Sequence, residues 1–258
     1  MNLFDPGMVT AAAETNAAPR PREAAPVAAG AGTTTTAVAA TTRGRLRGAE
    51  LGPVNPNRLQ RLGGLGLIAA PLLFAGGMLT SPQQTAPGNE GYIQSLAADP
   101  ALSLASANFL HYGWVALAFG AIAALGLVRG RRERVWVSIA SVVLAFGAIQ
   151  MSGLLLSDWF LVSMGNQLPI DVAAAVDAAA KEGTVAIWQY TGMAAGILGI
   201  AALSLGLARA KAVSWWIAPL AFLPWILPAV LGGPLGVVVA TLCYAPLFVA
   251  GIRLVTKR

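Results

Sequence analysis

The sequence predicts an all-α fold: a polytopic transmembrane helix bundle of six spans with both termini cytoplasmic. Three observations carry that expectation. Six apolar stretches follow one another between residues 62 and 254 with little charge between them. Only 11% of the residues are charged, against roughly 25% in soluble domains. The basic residues are also distributed with a strong bias: 16 of the 17 fall on one side of the alternating loops.

Residues 1–60 differ from the rest. They are rich in Ala, Pro, Thr and Gly, include the run Thr33 to Thr36, and hold few large apolar side chains. Such a segment buries too little surface to offset its ordering entropy, so a disordered cytoplasmic tail is expected. No secretory h-region precedes residue 62, which argues against a cleaved leader of that kind. Met8 is an alternative start. Arg43, Arg45, Arg47, Arg58 and Arg61 form a basic approach to the first span. Topology signalling explains it more economically than a contact with anionic lipid.

The transmembrane domain covers 62–254. Span one, about 62–80, holds Pro71 and five glycines. Spans two, three and four lie at about 106–128, 135–157 and 185–208. Span five, about 214–231, contains Pro219, Pro224 and Pro228, and span six, about 234–254, contains Pro246. Each is close to the roughly 20 residues that cross ~30 Å of hydrocarbon.

Orientation follows from the loops. Seven basic residues precede span one, four lie in 129–134, two are Arg209 and Lys211, and three are Arg253, Lys257 and Arg258. Only Lys181 falls opposite, among Glu90, Asp99, Asp158, Asp171, Asp177 and Glu182. Lys and Arg of short loops stay cytoplasmic, which places both termini inside, and six crossings require the same. The tryptophans agree: Trp136, Trp215 and Trp216 fall at the inner interface, Trp159 and Trp188 at the outer one. The net charge of +6 is thus a topology signal rather than a sign of nucleic acid, which is not an expected partner.

The outer loops 81–105 and 158–184 are long, and the last outer turn, Leu231 to Pro234, is tight. Asp99-Pro100 has the form of a cap and first turn leading into span two. Asp171 to Lys181 is Ala-rich with its charges placed as a helix dipole prefers, so a short helix capping the bundle is expected. A shift of 78 residues aligns His111-Tyr112 with Gln189-Tyr190 and Ile122-Ala-Ala-Leu125 with Ile200-Ala-Ala-Leu203. Spans one–two and three–four would then be duplicated hairpins, although Ala/Leu-rich helices also match by chance.

Polar residues at membrane depth are the candidates for function, because each costs free energy without a partner. His111, Tyr112, Gln150, Asp158, Gln189 and Tyr190 are the candidate ligand-binding set, with Asn108 and Ser152 nearby. At 1.5 Å per residue they fall at similar depth and would line one outer-leaflet vestibule. His111 is the only histidine, and Asp158 is the carboxylate placed to fix its tautomer. The alternative is that these groups bond neighbouring helices or headgroups. Gly192, Gly196 and Gly199 share the face of Gln189 in a small-xxx-small pattern that favours close helix packing, within the chain or against another subunit. The prolines of span five would either hinge a substrate path or merely kink a helix.

No catalytic residue is assigned. Met151-Ser152-Gly153 lacks the first glycine of a Gly-x-Ser-Gly motif, and no histidine follows it late enough in the chain to serve as its base. His-Glu-x-x-His, paired intramembrane carboxylates and a phosphate loop are all missing. One histidine and one cysteine, Cys243, make no histidine-rich zinc site, bis-histidine haem or disulfide. No metal or other cofactor is expected.

With its Ala/Leu/Gly helices, basic inner turns and polar N-terminal tail, the chain resembles uncharacterised six-span integral membrane proteins of GC-rich bacterial genomes. The resemblance is one of style over 62–254 and transfers no functional residues. It implies a bacterial plasma membrane, with the bilayer and another membrane subunit or a second copy as partners. The expected role is an accessory subunit or a binder of a small or lipidic ligand. A transporter or permease subunit is the alternative, and a membrane enzyme relying on His111 a third.

Overall fold

The structure, a computed structural model, describes residues 56–257. The expected tail up to residue 55, with Arg43, Arg45 and Arg47, lies outside the described residues. The described residues form an all-α fold without strands.

Helix α1 (Pro56–Thr80) runs antiparallel to α3 (Pro100–Ala123), with α2 (Gly88–Ala98) between them in sequence. Small residues bring the pair together. A Cβ on Gly66 would stand 2.6 Å from the Ala116 carbonyl oxygen, and one on Gly120 would stand 2.7 Å from Leu67 Cγ. Where Gly77 leaves space, the Ser106 hydroxyl donates to its carbonyl at 2.7 Å. Asp99 caps α3, its side chain accepting from the Leu102 N–H at 3.1 Å, with Pro100 in the first turn.

Helices α4 (Arg131–Leu154) and α7 (Thr184–Arg209) form a second antiparallel pair, separated in sequence by α5 (Leu156–Gln167) and α6 (Ile170–Ala180). Its seam is also glycine-lined. Gly147 lies directly on the backbone of Gly196, and a Cβ on Gly199 would stand 2.7 Å from Leu144 Cα. Adding 78 to both members of the Leu67–Gly120 contact gives Ala145 and Leu198, each one residue from the Leu144–Gly199 contact. The two hairpins therefore pair in the same register.

The segment after α7 departs from expectation. Instead of one helix over 214–231 it forms a 3₁₀ turn, Ala218–Phe222, and a five-residue helix, α8 (Leu227–Leu231). Pro219, Pro224 and Pro228 are spaced so that each successive turn lacks a backbone donor, which a continuous helix does not tolerate without compensation. A turn at Gly232 and Gly233, both at positive φ, leads into α9 (Gly233–Cys243) and α10 (Ala245–Thr256), bent by 48° at Tyr244. Pro246 cannot donate to the carbonyl one turn back, which accounts for a break there.

Among the described residues four helical stretches are long and apolar enough to cross a membrane: Asn57–Thr80, Pro100–Leu127, Arg131–Gln167 and Thr184–Arg209. The bent α9–α10 pair is a fifth if taken as one span. Side chains such as Phe119, Ile149, Leu198 and Leu242 are about two-thirds exposed on these helices, which is compatible with a membrane-spanning bundle.

A main core links α1, α3, α4, α7 and α10 through Leu67, Leu117, Leu144, Leu203 and Leu247. A separate small core, Ile93, Leu96, Leu161, Val162, Ala173 and Ala174, joins α2, α5 and α6 into a cap. The two long loops of the sequence are thus one helical layer at the end of the bundle opposite the α3–α4 turn.

Candidate functional site

Of the polar residues singled out from the sequence, His111, Gln150 and Asp158 make separate hydrogen bonds. His111, on α3, faces α4: its Nδ1 stands 3.1 Å from the Ser152 carbonyl oxygen and 3.0 Å from Ser152 Oγ. A carbonyl can only accept, so the tautomer carrying a proton on Nδ1 satisfies both neighbours, whereas the other leaves two lone pairs opposed. The fold supplies the histidine that the sequence did not place near Ser152, but in the wrong role for a base. A donor Nδ1 does not activate a hydroxyl. The His111 ring lies edge-on to Tyr112 at 5.0 Å between centroids and 6.2 Å from Trp159.

Gln150 turns to the other side of α4, where its Oε1 accepts from the Thr191 hydroxyl of α7 at 3.3 Å. Gly192 leaves room for it, since a Cβ there would stand 2.9 Å from Gln150 Cβ. Gly196 faces the Trp114 ring and, with Gly199, the α4 seam. Gln189 is half-buried and makes no hydrogen bond within the described residues. Tyr112 and Tyr190 project outward, each about 60% exposed, and Asn108 donates to the Leu104 carbonyl of its own helix.

Asp158 does not meet His111 in a hydrogen bond. It opens α5 and accepts from the Tyr92 hydroxyl of α2 at 2.9 Å. Burial first, then the Asp158 carboxylate, holds the Tyr92 phenol well above its ordinary range. Asp177 of α6 is buried and paired with Lys181 at 2.7 Å, the only ion pair among the described residues. Asn89 ties α2 to the Ala174 carbonyl of α6 at 3.2 Å. The cap thus has its own polar interior, drawn from three helices.

Tyr92 carries no signal of its own in the sequence. The spacing of Ile93 and Leu96, three residues apart, is the trace that α2 leaves there. Trp159 Nε1 and Trp225 Nε1 are buried with no hydrogen-bond partner among the described residues, as are the hydroxyls of Ser141 and Ser204. Among the described residues no three His, Cys, Asp or Glu side chains gather as a metal site.

Four rings pack together: Phe74 lies 4.9 Å from Trp114 and 5.9 Å from Tyr244, and Trp225 stacks on Trp114.

The chain matches no known protein family, no curated protein and no solved structure closely enough to carry an inference.

Proposed function

We propose that this chain is a multi-pass protein of the bacterial plasma membrane, acting without chemistry of its own as an accessory subunit. The observation that carries this reading is how the polar groups at depth are used. His111 is engaged by Ser152 across α3–α4, and Gln150 by Thr191 across α4–α7. Groups engaged in helix–helix contacts hold a bundle together. A vestibule for a small or lipidic ligand asks instead that His111, Tyr112, Gln150, Asp158, Gln189 and Tyr190 converge, and the hydrogen bonds divide three of them among three contacts. On this reading Gly192, Gly196 and Gly199 are packing residues, and the cap is the surface offered to a partner subunit.

Six crossings with cytoplasmic termini fit the contacts at the basic end. Lys257 Nζ donates to the Gly126 carbonyl and Arg253 Nη1 to the Lys211 carbonyl, so the ends of α3, α7 and α10 share one level. From Lys211 the chain climbs to Trp225, beside Trp114, and α9–α10 returns. Single cysteines in a Cys243→Ala background test the orientation. Gln94→Cys, in the cap, should react with an impermeant maleimide in intact cells, and Arg132→Cys only after permeabilisation. The reverse pattern would defeat the topology. An assembly larger than the monomer on native gels, lost when the cap is disrupted by Asp177→Leu, supports the accessory role; a monomer in native membranes defeats it.

A permease subunit is the second reading, favoured by the broken 214–231 segment and the bend at Tyr244, since interrupted helices line transport sites. ATP hydrolysis that co-purifies with the chain would select it.

A further inference from the structure

The basic residues do more than mark one side. Five of them, drawn from three separate segments, line one cavity of about 580 Å³: Arg129 after α3, Arg209 at the end of α7 with Lys211 beyond it, and Arg253 on α10 with Lys257 just past its end. Glu133 is the only carboxylate in the lining. Two cations are structural, for Lys257 and Arg253 hold α10 to the neighbouring turns by donating to the Gly126 and Lys211 carbonyls at 2.6 and 3.1 Å. Arg129, Arg209 and the Lys211 ammonium make no hydrogen bond or ion pair within the described residues.

A second observation points the same way. Lys211 has φ of 60°, a left-handed conformation that glycine ordinarily supplies at a helix end. The Ala212 N–H bonds the Leu207 carbonyl at 2.8 Å, closing the turn in which this residue is strained. A lysine kept where glycine is easier is a cost of the kind that accompanies binding sites. The N-terminus of α4, at Gly130, also borders the cavity without a side-chain cap, and the Glu133 side chain folds back over it.

We propose that this cavity binds a phosphate group, and its level in the structure points to the headgroup of an anionic phospholipid. Trp136, Trp215 and Trp216, all exposed, lie within a few residues of the lining segments, and indoles mark the headgroup region. Basic pockets between helices on the cytoplasmic side suit such headgroups. The headgroup assignment rests on the membrane reading above; the phosphate site does not.

The test uses the full chain in a zwitterionic detergent. Native mass spectrometry compares retained phosphatidylglycerol with phosphatidylcholine, and thermal shift is followed with inorganic pyrophosphate. Lys211→Gly removes the charge while easing the backbone, so it should fold at least as well as the parent, and Arg209→Gln is its companion. Each should weaken phosphatidylglycerol retention about five-fold, the effect of roughly one cation near an anionic headgroup, and Glu133→Gln should strengthen it. Selective phosphatidylglycerol retention, displaced by pyrophosphate, supports the lipid source. Stabilisation by pyrophosphate alone, lost in Lys211→Gly, supports the same site with a soluble phosphate ligand. Equal retention of both lipids with no pyrophosphate effect overturns the proposal, as does an equal loss in Arg58→Gln, a basic-end arginine outside the cavity. Release of the chain from membranes by alkaline carbonate would defeat the membrane reading and leave the pyrophosphate result to judge the cavity.

Discussion

Trp225 stacks on Trp114 with ring centroids 5.4 Å apart and planes inclined by 23°. The two come from different parts of the chain, one from α3 and the other from the proline-broken segment after α7. The contact shows how a stretch broken into a 3₁₀ turn and a five-residue helix is held against the bundle.

Trp225→Ala should therefore destabilise the protein by about 3–5 kcal/mol, the usual range for removing a packed aromatic side chain. Trp216, 79% exposed, is the control, and Trp216→Ala should stay within about 0.5 kcal/mol. Melting in one detergent compares the two. Equal losses would mean that the stack is incidental.

The α4–α7 seam gives a sharper contrast between two glycines of one helix. A Cβ on Gly199 would stand 2.7 Å from the Leu144 backbone, whereas one on Gly206 would stand 3.0 Å from Val137 Cγ2 and no closer than 3.8 Å to its backbone. Backbone cannot swing aside as a side-chain methyl can. Gly199→Ala should cost about 1–3 kcal/mol through overpacking, and Gly206→Ala less than half as much. The order of their melting temperatures decides it, and a reversed order would place the tight contact elsewhere.

The long helices are legible because apolar length needs no partner to be recognised, but α1 and α3 begin at Pro56 and Pro100 rather than near 62 and 106. The fold class, Asp99 as a cap and the short helix after Ile170 rest on local rules that act within a few residues. The segment 214–231 reads as a span by hydropathy, with three prolines that hinge or kink it, and it is broken into a 3₁₀ turn and α8. Which polar residue meets which was not legible. His111 with Ser152, and Gln150 with Thr191, are each 41 positions apart, and depth alone does not say which face of a helix points where. The basic cavity was visible only in part. The charges of Arg129, Arg209, Lys211, Arg253 and Lys257 place them on one side, but their closure around one space depends on how α3, α7 and α10 end together.

The cap should be sensitive to Tyr92. Tyr92→Phe removes the phenol that Asp158 accepts from, and a bond to a charged acceptor is worth about 1.5–3 kcal/mol. The pH dependence has a definite sign. The folded phenol titrates above its ordinary 10.0, so its contribution is complete below that pH and is lost as pH rises toward the folded value. Hydrogen exchange of α2 and α5, followed against pH, should show a cap that loosens in alkali in the parent. Tyr92→Phe should already be loosened at neutral pH. A variant that exchanges like the parent at both pH values would remove the bond from any account of cap stability.

His111 and Ser152 separate a packing role from chemistry. Since Nδ1 faces a carbonyl as well as a hydroxyl, the ring acts as a donor, and the contact should tolerate any side chain that places an N–H there. His111→Asn should keep most of the stability, while His111→Ala should lose about 1 kcal/mol or more by leaving the Ser152 carbonyl unpaired. Ser152→Ala should cost less than His111→Ala, because the carbonyl bond survives it. A nucleophile activated by this ring would behave otherwise. A fluorophosphonate probe would label Ser152 in the parent and lose that labelling in His111→Asn, whereas a donor ring leaves the serine unlabelled in both. Covalent labelling of Ser152 would move His111 from the seam of α3 and α4 to the centre of an active site.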